Sequence, residues 1–292
     1  MSIVSPRARF PLPLPGRPPL ELGARTLLMG ILNVTPDSFS DGGAALEPGR
    51  ALDRALEMEA EGADLIDIGA ESTRPGAPAV DAAAELDRLL PVLTRLAGRV
   101  RVPLSIDTTK AAVAERALGE GVSIVNDVSA LGYDPDLGAV VARAGAALVL
   151  MHMRGRPADM QAHAHYDDVV GEVGRELAAG IARATRAGVD PGRLVLDPGL
   201  GFAKRAPHSY RVLAGLDRLA TLGHPLLVGP SRKSFLAEAA GGQPPGGRDW
   251  ATAAAVTAAV LGGAHIVRVH RVAGLADVVR AADAVRDAGE AP

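Results

Sequence analysis

Eight short apolar runs, each followed by a turn and a segment of helical period, constrain this chain more than any other feature. The runs are Thr26–Leu32, Asp64–Ile68, Val102–Ile106, Ser123–Val125, Ala146–Met151, Arg193–Leu196, Pro225–Val228 and Ala264–Val269. Each is apolar on both faces, as a strand buried in a parallel sheet must be. Between them lie amphipathic segments such as Arg50–Glu61, Asp81–Ala97, Lys110–Gly119, Asp136–Ala144, Asp167–Ala187 and Ala273–Ala288. Eight such units over about 265 residues are what a TIM (β/α)8 barrel requires. A doubly wound open sheet is the alternative, but it stops at five or six strands and wants a glycine-rich dinucleotide turn, which this sequence lacks. We therefore expect an α/β barrel in one domain, residues 25–292, after a Pro-rich lead-in over residues 1–24. That lead-in reads as irregular and as a cover for the bottom of the barrel.

Composition narrows the function classes. The chain has 31 basic and 34 acidic residues among 292, a net charge of −3, which argues against nucleic-acid or membrane binding by bulk charge. It has no cysteine, hence no disulfide, thiolate metal site or cysteine nucleophile. The sequence shows no targeting segment and no apolar stretch fit for lipid, so a cytoplasmic protein is expected. Of the basic residues only Lys110, Lys204 and Lys233 are lysine. In a chain that otherwise uses arginine, each marks a place where a planar guanidinium is a candidate misfit.

Chemistry is expected at the strand ends, because barrel enzymes build their sites from the loops at the C-terminal face. Reading there gives Asn33, Asp67 with Glu71, Asp107, Asn126, His152, Asp197, Ser231 with Lys233, and Arg268 with His270. A single Asp after a strand is usually a helix cap; eight polar endings around one mouth are a site. Asp107, Asn126, Asp197 and Lys233 suit a flat heterocycle with an amino-amide edge, since a carboxylate accepts paired N–H groups. Met151 and Phe202 offer apolar contact to its faces. Asn33, Thr73, Arg74, Arg268 and His270 are donors for an anion such as phosphate or diphosphate. Two connections, Val34–Pro48 and Gly69–Val80, are long enough to serve as binding loops. Gly241–Gly247 reads as a surface insertion.

The segments MGILNVTPDSFSDGG (29–43), GADLIDIGAESTRPG (62–76), SIDTTKAAVAERAL (105–118), IVNDVSA (124–130), LMHMRGRPADMQ (150–161), LDPGLGFAK (196–204), GPSRKSF (229–235) and VRVH (267–270) resemble the dihydropteroate synthase family. The resemblance runs in order through all eight units. It implies condensation of 6-hydroxymethyl-7,8-dihydropterin diphosphate with p-aminobenzoate to give 7,8-dihydropteroate and diphosphate, in folate synthesis. It places the pterin on Asp107, Asn126, Met151, Asp197, Phe202 and Lys233. The diphosphate falls on Asn33, Thr73, Arg74, Arg268 and His270, with Mg2+ held at Asn33. The p-aminobenzoate pocket falls on Phe39, Thr73, Arg74, Pro75, Ser231 and Lys233. Asp37, Lys233, Arg268 and His270 are the expected catalytic residues of a dissociative reaction, and a homodimer through the later helices is implied.

A methyltetrahydrofolate-dependent methyltransferase and a non-catalytic pterin-binding relative are the alternatives; the first should lack the paired ESTRPG and SRK segments. Departures from the family pattern fall at Arg205 and Ser209, on either side of the retained His208, and at Arg271. His163 and His165 read as solvated loop residues, and His208, His224 and His265 as surface or cap residues. Lys110 reads as helix-surface packing and Trp250 as an anchor at a helix start.

Overall fold

The computed structural model describes residues 4–34, 48–73 and 76–290. An antiparallel hairpin, β1 (Phe10–Leu12) with β2 (Leu20–Leu22), precedes eight parallel strands. These are β3 (Leu27–Asn33), β4 (Leu65–Gly69), β5 (Leu104–Asp107), β6 (Ile124–Asp127), β7 (Ala147–Met151), β8 (Leu194–Asp197), β9 (Leu227–Val228) and β10 (Ile266–Val269). They hydrogen-bond in the order β8-β7-β6-β5-β4-β3-β10-β9. A parallel bridge from Leu196 in β8 to Leu226, just before β9, joins the two ends. The sheet is therefore closed, which excludes the open-sheet alternative.

Helices follow the strands: α1 (Pro48–Ala60), α2 (Ala82–Leu96), α3 (Ala111–Gly119), α4 (Leu137–Ala144) and α5 (Val169–Arg186). The sixth unit carries two, α6 (Ala206–Ala214) and α7 (Leu216–Ala220), and α8 (Asp249–Leu261) and α9 (Val272–Glu290) complete the ring. Local chemistry sets their ends. Asp81 accepts from the Ala84 N–H at 2.8 Å to cap α2, and Gly145 closes α4 in the left-handed conformation at φ +60°.

Alternation along each strand sends every second side chain into the barrel. Near the N-terminal ends that inward row is apolar: Leu27, Met29, Leu65, Ile124, Val149, Val195, Leu227 and Ile266 form one buried cluster. Each is worth roughly 1.5–3 kcal/mol relative to exposure. The intervening residues, such as Leu28, Ile66, Val125 and Leu148, belong to the larger core beneath the helices. Toward the C-terminal ends the same inward row becomes polar, with Asp67, Asp107, Asn126, Asp197 and Arg268. The sheet thus carries a dry floor and a charged upper layer.

The lead-in does cover the floor, but it is not irregular. Leu12, Leu14 and Leu22 of the hairpin region pack into the inner cluster. Prolines obscured it because proline is tolerated on edge strands, where Pro11 sits opposite Glu21. Arg7 fastens it, donating to Ala264 O at 2.9 Å and pairing with Asp283 at 3.1 Å. His265 also departs from its surface or cap reading. It is 2% exposed; Nδ1 accepts from the Leu226 N–H at 3.0 Å and Nε2 donates to Ala8 O at 3.0 Å. Burial pushes its pKa down to about 4. Trp250 sits in the first turn of α8 as expected, yet at 88% exposure it is not buried as an anchor among the described residues. Among the described residues no helix is long and apolar enough to cross a membrane.

Candidate active site

Strand register brings the predicted residues to one level. Asn33 pairs with Gly69, Gly69 with Asp107, and Asp107 with Asn126, so four neighbouring strands end in one row. On the far wall Met151 pairs with Asp197. Asn126, Met151 and Asp197 are buried, whereas Asn33, Thr73, Asp107 and Arg268 keep part of their surface open to the mouth.

Arg268 is the hub. Its Nε donates to Asp67 Oδ2 at 2.6 Å and its Nη2 to Asp107 Oδ2 at 2.9 Å. Burial opposes the charge on Arg268, but Asp67 and Asp107 outweigh it and raise the pKa. Asp67 Oδ2 also accepts from Asn126 Nδ2 at 2.9 Å. Asp67, fully buried, thus orients two site residues at once, a role the sequence reading did not assign. Its signal was present: a carboxylate inside the apolar run LIDIG, at inward parity. Burial raises the pKa of Asp107 against the pull of Arg268. It likewise raises that of Asp197, whose Oδ1 accepts from the Gly199 N–H at 2.7 Å.

Lys233 enters from the loop after β9. Arg232 before it sits in the left-handed region at φ +59°, a strained conformation for a side chain of that size. The start of α8 holds it there. Arg232 N–H donates to Thr252 Oγ1 at 3.1 Å, and its guanidinium pairs with Asp249 at 2.9 Å. The turn aims Lys233 inward, Nζ lying 4.6 Å from the centroid of the Phe202 ring. Burial lowers the Lys233 pKa to about 8, with Asp197 pulling the other way. Ser231 meets His270 instead of standing alone: its Oγ accepts from the His270 N–H at 3.2 Å and lies 2.9 Å from Nδ1. The expected amine pocket and anion pocket therefore share a wall. Asp37, Phe39, Arg74 and Pro75 lie outside the described residues.

Lys110 departs from its expected role in helix-surface packing. Its ammonium pairs with Glu71 and with Glu85 Oε2, the latter at 2.5 Å, and the Glu85 side chain is fully buried. Glu71 in turn accepts from the Val80 N–H at 3.1 Å, so Lys110 ties together both feet of the Gly69–Val80 connection. The family departures are accommodated. The Arg205 backbone N–H donates to His208 Nδ1 at 3.4 Å at the start of α6, Ser209 Oγ accepts from the Gly201 N–H at 3.1 Å, and Arg271 reaches Asp249 at 3.4 Å. His163 and His165 are exposed, and among the described residues no group of three His, Cys, Asp or Glu could hold a metal.

Comparison with known proteins agrees with this geometry. The model of the pterin binding enzyme family matches residues 29–270. A dihydropteroate synthase from Synechocystis sp. is 46% identical over 277 residues, covering 94% of this chain and 96% of the relative. The solved Yersinia pestis dihydropteroate synthase, in a sulfonamide drug complex, superposes with a TM-score of 0.90 at 42% identity, over 95% of this chain and 100% of that one. The Xanthomonas albilineans enzyme in complex with 7,8-dihydropteroate gives 0.83 at 41% identity, over 96% and 100% of the two chains. On these residues and matches, the chain belongs to the dihydropteroate synthase family of pterin binding enzymes.

Proposed function

We propose that this protein condenses 6-hydroxymethyl-7,8-dihydropterin diphosphate with p-aminobenzoate, releasing 7,8-dihydropteroate and diphosphate. The observation that carries the reading is the inward polar layer, in which Asp107, Asn126, Asp197 and Lys233 meet Arg268 above an apolar floor. The Xanthomonas albilineans relative, solved with 7,8-dihydropteroate, supports it from outside the chain.

The chemistry follows from the groups present. Asp107, Asn126 and Asp197 supply acceptors and an amide for the pterin edge, while Met151 and Phe202 pack its faces. Aromatic amines are weak nucleophiles, so the barrier falls chiefly by easing departure of diphosphate as its carbon–oxygen bond breaks. Arg268, Asn33 and His270 stand where the growing negative charge needs donors. The amine nitrogen then bonds to the exposed carbon and gives up one proton. Nothing in this sequence requires a side-chain nucleophile. In this reading Phe39, Thr73, Arg74, Pro75, Ser231 and Lys233 are the residues that take p-aminobenzoate, and the charge of Asp37 favours the carbon that becomes cationic.

Magnesium fits the donor set in one manner. Mg2+ usually keeps several waters and takes one or two protein oxygens plus substrate phosphates. Asn33, an oxygen donor at the mouth, is the residue that would hold it, and its contribution would be to neutralise the leaving group. A cytoplasmic homodimer is the accompanying proposal. The exposed Trp250, with Tyr210, Leu213, Ala254 and Ala258 lining the adjacent surface, supports contact through the later helices.

The test is direct: incubate the purified protein with the dihydropterin diphosphate, p-aminobenzoate and Mg2+, and assay dihydropteroate. Product that requires both substrates is expected. Pterin binding without product would favour the non-catalytic relative and overturn the enzyme reading.

A further inference from the structure

Lys204 is buried behind the site, 2% exposed, and the mechanism above does not use it. Its Nζ lies 2.7 Å from His152 Nδ1, 3.1 Å from Gly199 O and 3.1 Å from Phe202 O. We propose that Lys204 is a positioning residue for the pterin, one that fixes the backbone of residues 199–202 and thereby the places of Asp197 and Phe202. The inference rests on the pterin reading of the site.

Hydrogen-bond accounting supports an ammonium. Four acceptor atoms surround Nζ, the fourth being His152 O at 3.5 Å, and only the protonated form has three N–H groups to share among them. Burial pushes its pKa well below the ordinary amine value, and the nearby charge of Asp197 opposes that shift only in part. His152 must then carry its proton on Nε2, which donates to Glu176 Oε2 at 3.0 Å. Arg154 Nε holds the other oxygen of Glu176 at 3.0 Å and stacks 4.1 Å from the Tyr166 ring centroid. Tyr166 Oη donates to Ala203 O at 3.0 Å, back onto the same loop. The tautomer of a buried imidazole is thus set by partners on both sides.

The loop needs such a clamp. Gly199, Gly201 and Ala203 all have positive φ, at +67°, +81° and +47°. At Gly199 a Cβ would meet His152 O at 2.0 Å, so only glycine fits there. Ala203 has a Cβ, so its left-handed conformation is strained and persists only where the surroundings over-determine it. That turn swings Lys204 inward. On the other face of the loop, the Gly199 N–H holds Asp197, and the Phe202 ring lies beneath Lys233. A guanidinium is planar and cannot direct donors to these acceptors around one point.

The experiment compares Lys204→Met with the wild type, measuring KM for each substrate separately and pterin binding by fluorescence titration without turnover. Loss of the clamp should raise KM and Kd for the pterin about tenfold or more, as a small misplacement does. KM for p-aminobenzoate should stay within about twofold, a split that general loosening of the fold does not produce. Lys204→Arg should fail to rescue. If Lys204→Met does not fold, Glu176→Gln decides. Its partly exposed side chain tolerates change, and it should raise the pterin KM selectively. An unchanged pterin Kd in a folded variant, or equal rises for both substrates, would overturn the proposal. Wild-type protein that bound pterin yet made no product would sink the enzyme reading and leave this inference testable by binding. Wild-type protein that bound no pterin would overturn both.

Discussion

Replacing Lys110 by methionine isolates the energetics of a buried charge. Glu85 has no exposed side-chain surface, and Lys110 and Glu71 are each 22% exposed. Breaking a buried pair by removing one partner costs about 3–5 kcal/mol. Partial exposure of the lysine places this case at the lower end, about 3 kcal/mol. With an unfolding entropy of roughly 2 cal/mol/K per residue over 292 residues, that corresponds to a fall in Tm of about 5 °C. The loss should depend on pH. Burial already raises the Glu85 pKa above the ordinary carboxylate value, and the hydrogen bond and charge of Lys110 oppose that rise. Without the lysine it climbs further. A carboxyl whose folded pKa exceeds its unfolded value destabilises the fold as pH rises through that window. Lys110→Met should therefore be hurt more at pH 8 than at pH 5, as followed by thermal and urea unfolding at both. Adding Glu85→Gln should recover most of the loss, since an amide needs no counter-ion. Equal losses at the two pH values, or a double variant no more stable than the single one, would refute the reasoning.

Other outcomes follow from the same contacts. Lys233→Ala should abolish turnover while leaving the fold intact by circular dichroism; near-normal activity would contradict the site assignment. In the wild type, kcat/KM should fall on the alkaline side with an apparent pKa near 8, because Lys233 loses its proton there. Asp67→Asn should weaken Arg268 by about 2 kcal/mol, about thirtyfold in kcat/KM, read by steady-state kinetics. His265 has a folded pKa of about 4, below its unfolded value, so its contribution is complete above about pH 6.5 and is lost as pH falls toward 4. His265→Gln, which can keep both hydrogen bonds, should flatten that acid slope in urea unfolding.

What the sequence made legible was whatever a strand reports about itself. Parallel strands buried on both faces announce themselves by unbroken apolar runs, and a polar residue at inward parity near the end points to the mouth. Asp107, Asn126 and Asp197 could be found in that way. Pairings made by barrel closure could not. Lys110 finds Glu71 and Glu85 at sequence distances of 39 and 25, and Lys204 finds His152 at 52. Neither partner is marked by spacing. The burial of His265 is hidden for the same reason, since its second hydrogen bond goes to Ala8 at a separation of 257. The expectation drawn from the scarcity of lysine fared better: all three lysines hold positions where several acceptors or a tight aromatic contact converge on one point charge.

The hairpin under the barrel has a consequence for how the chain is made. Arg7 binds Ala264 and Asp283, and the Ser5 N–H donates to Leu261 O at 2.9 Å. Ser5 and Arg7 leave the ribosome far ahead of these partners, so during synthesis they wait until the last two units emerge. Val4 lies against Gly289, where an added Cβ would meet its side chain at 3.1 Å. The two ends of the described chain are neighbours, close enough for a short bridge. A circular permutant starting at residue 24 and carrying residues 4–23 after residue 290 would deliver the floor last, in the order in which the barrel can accept it.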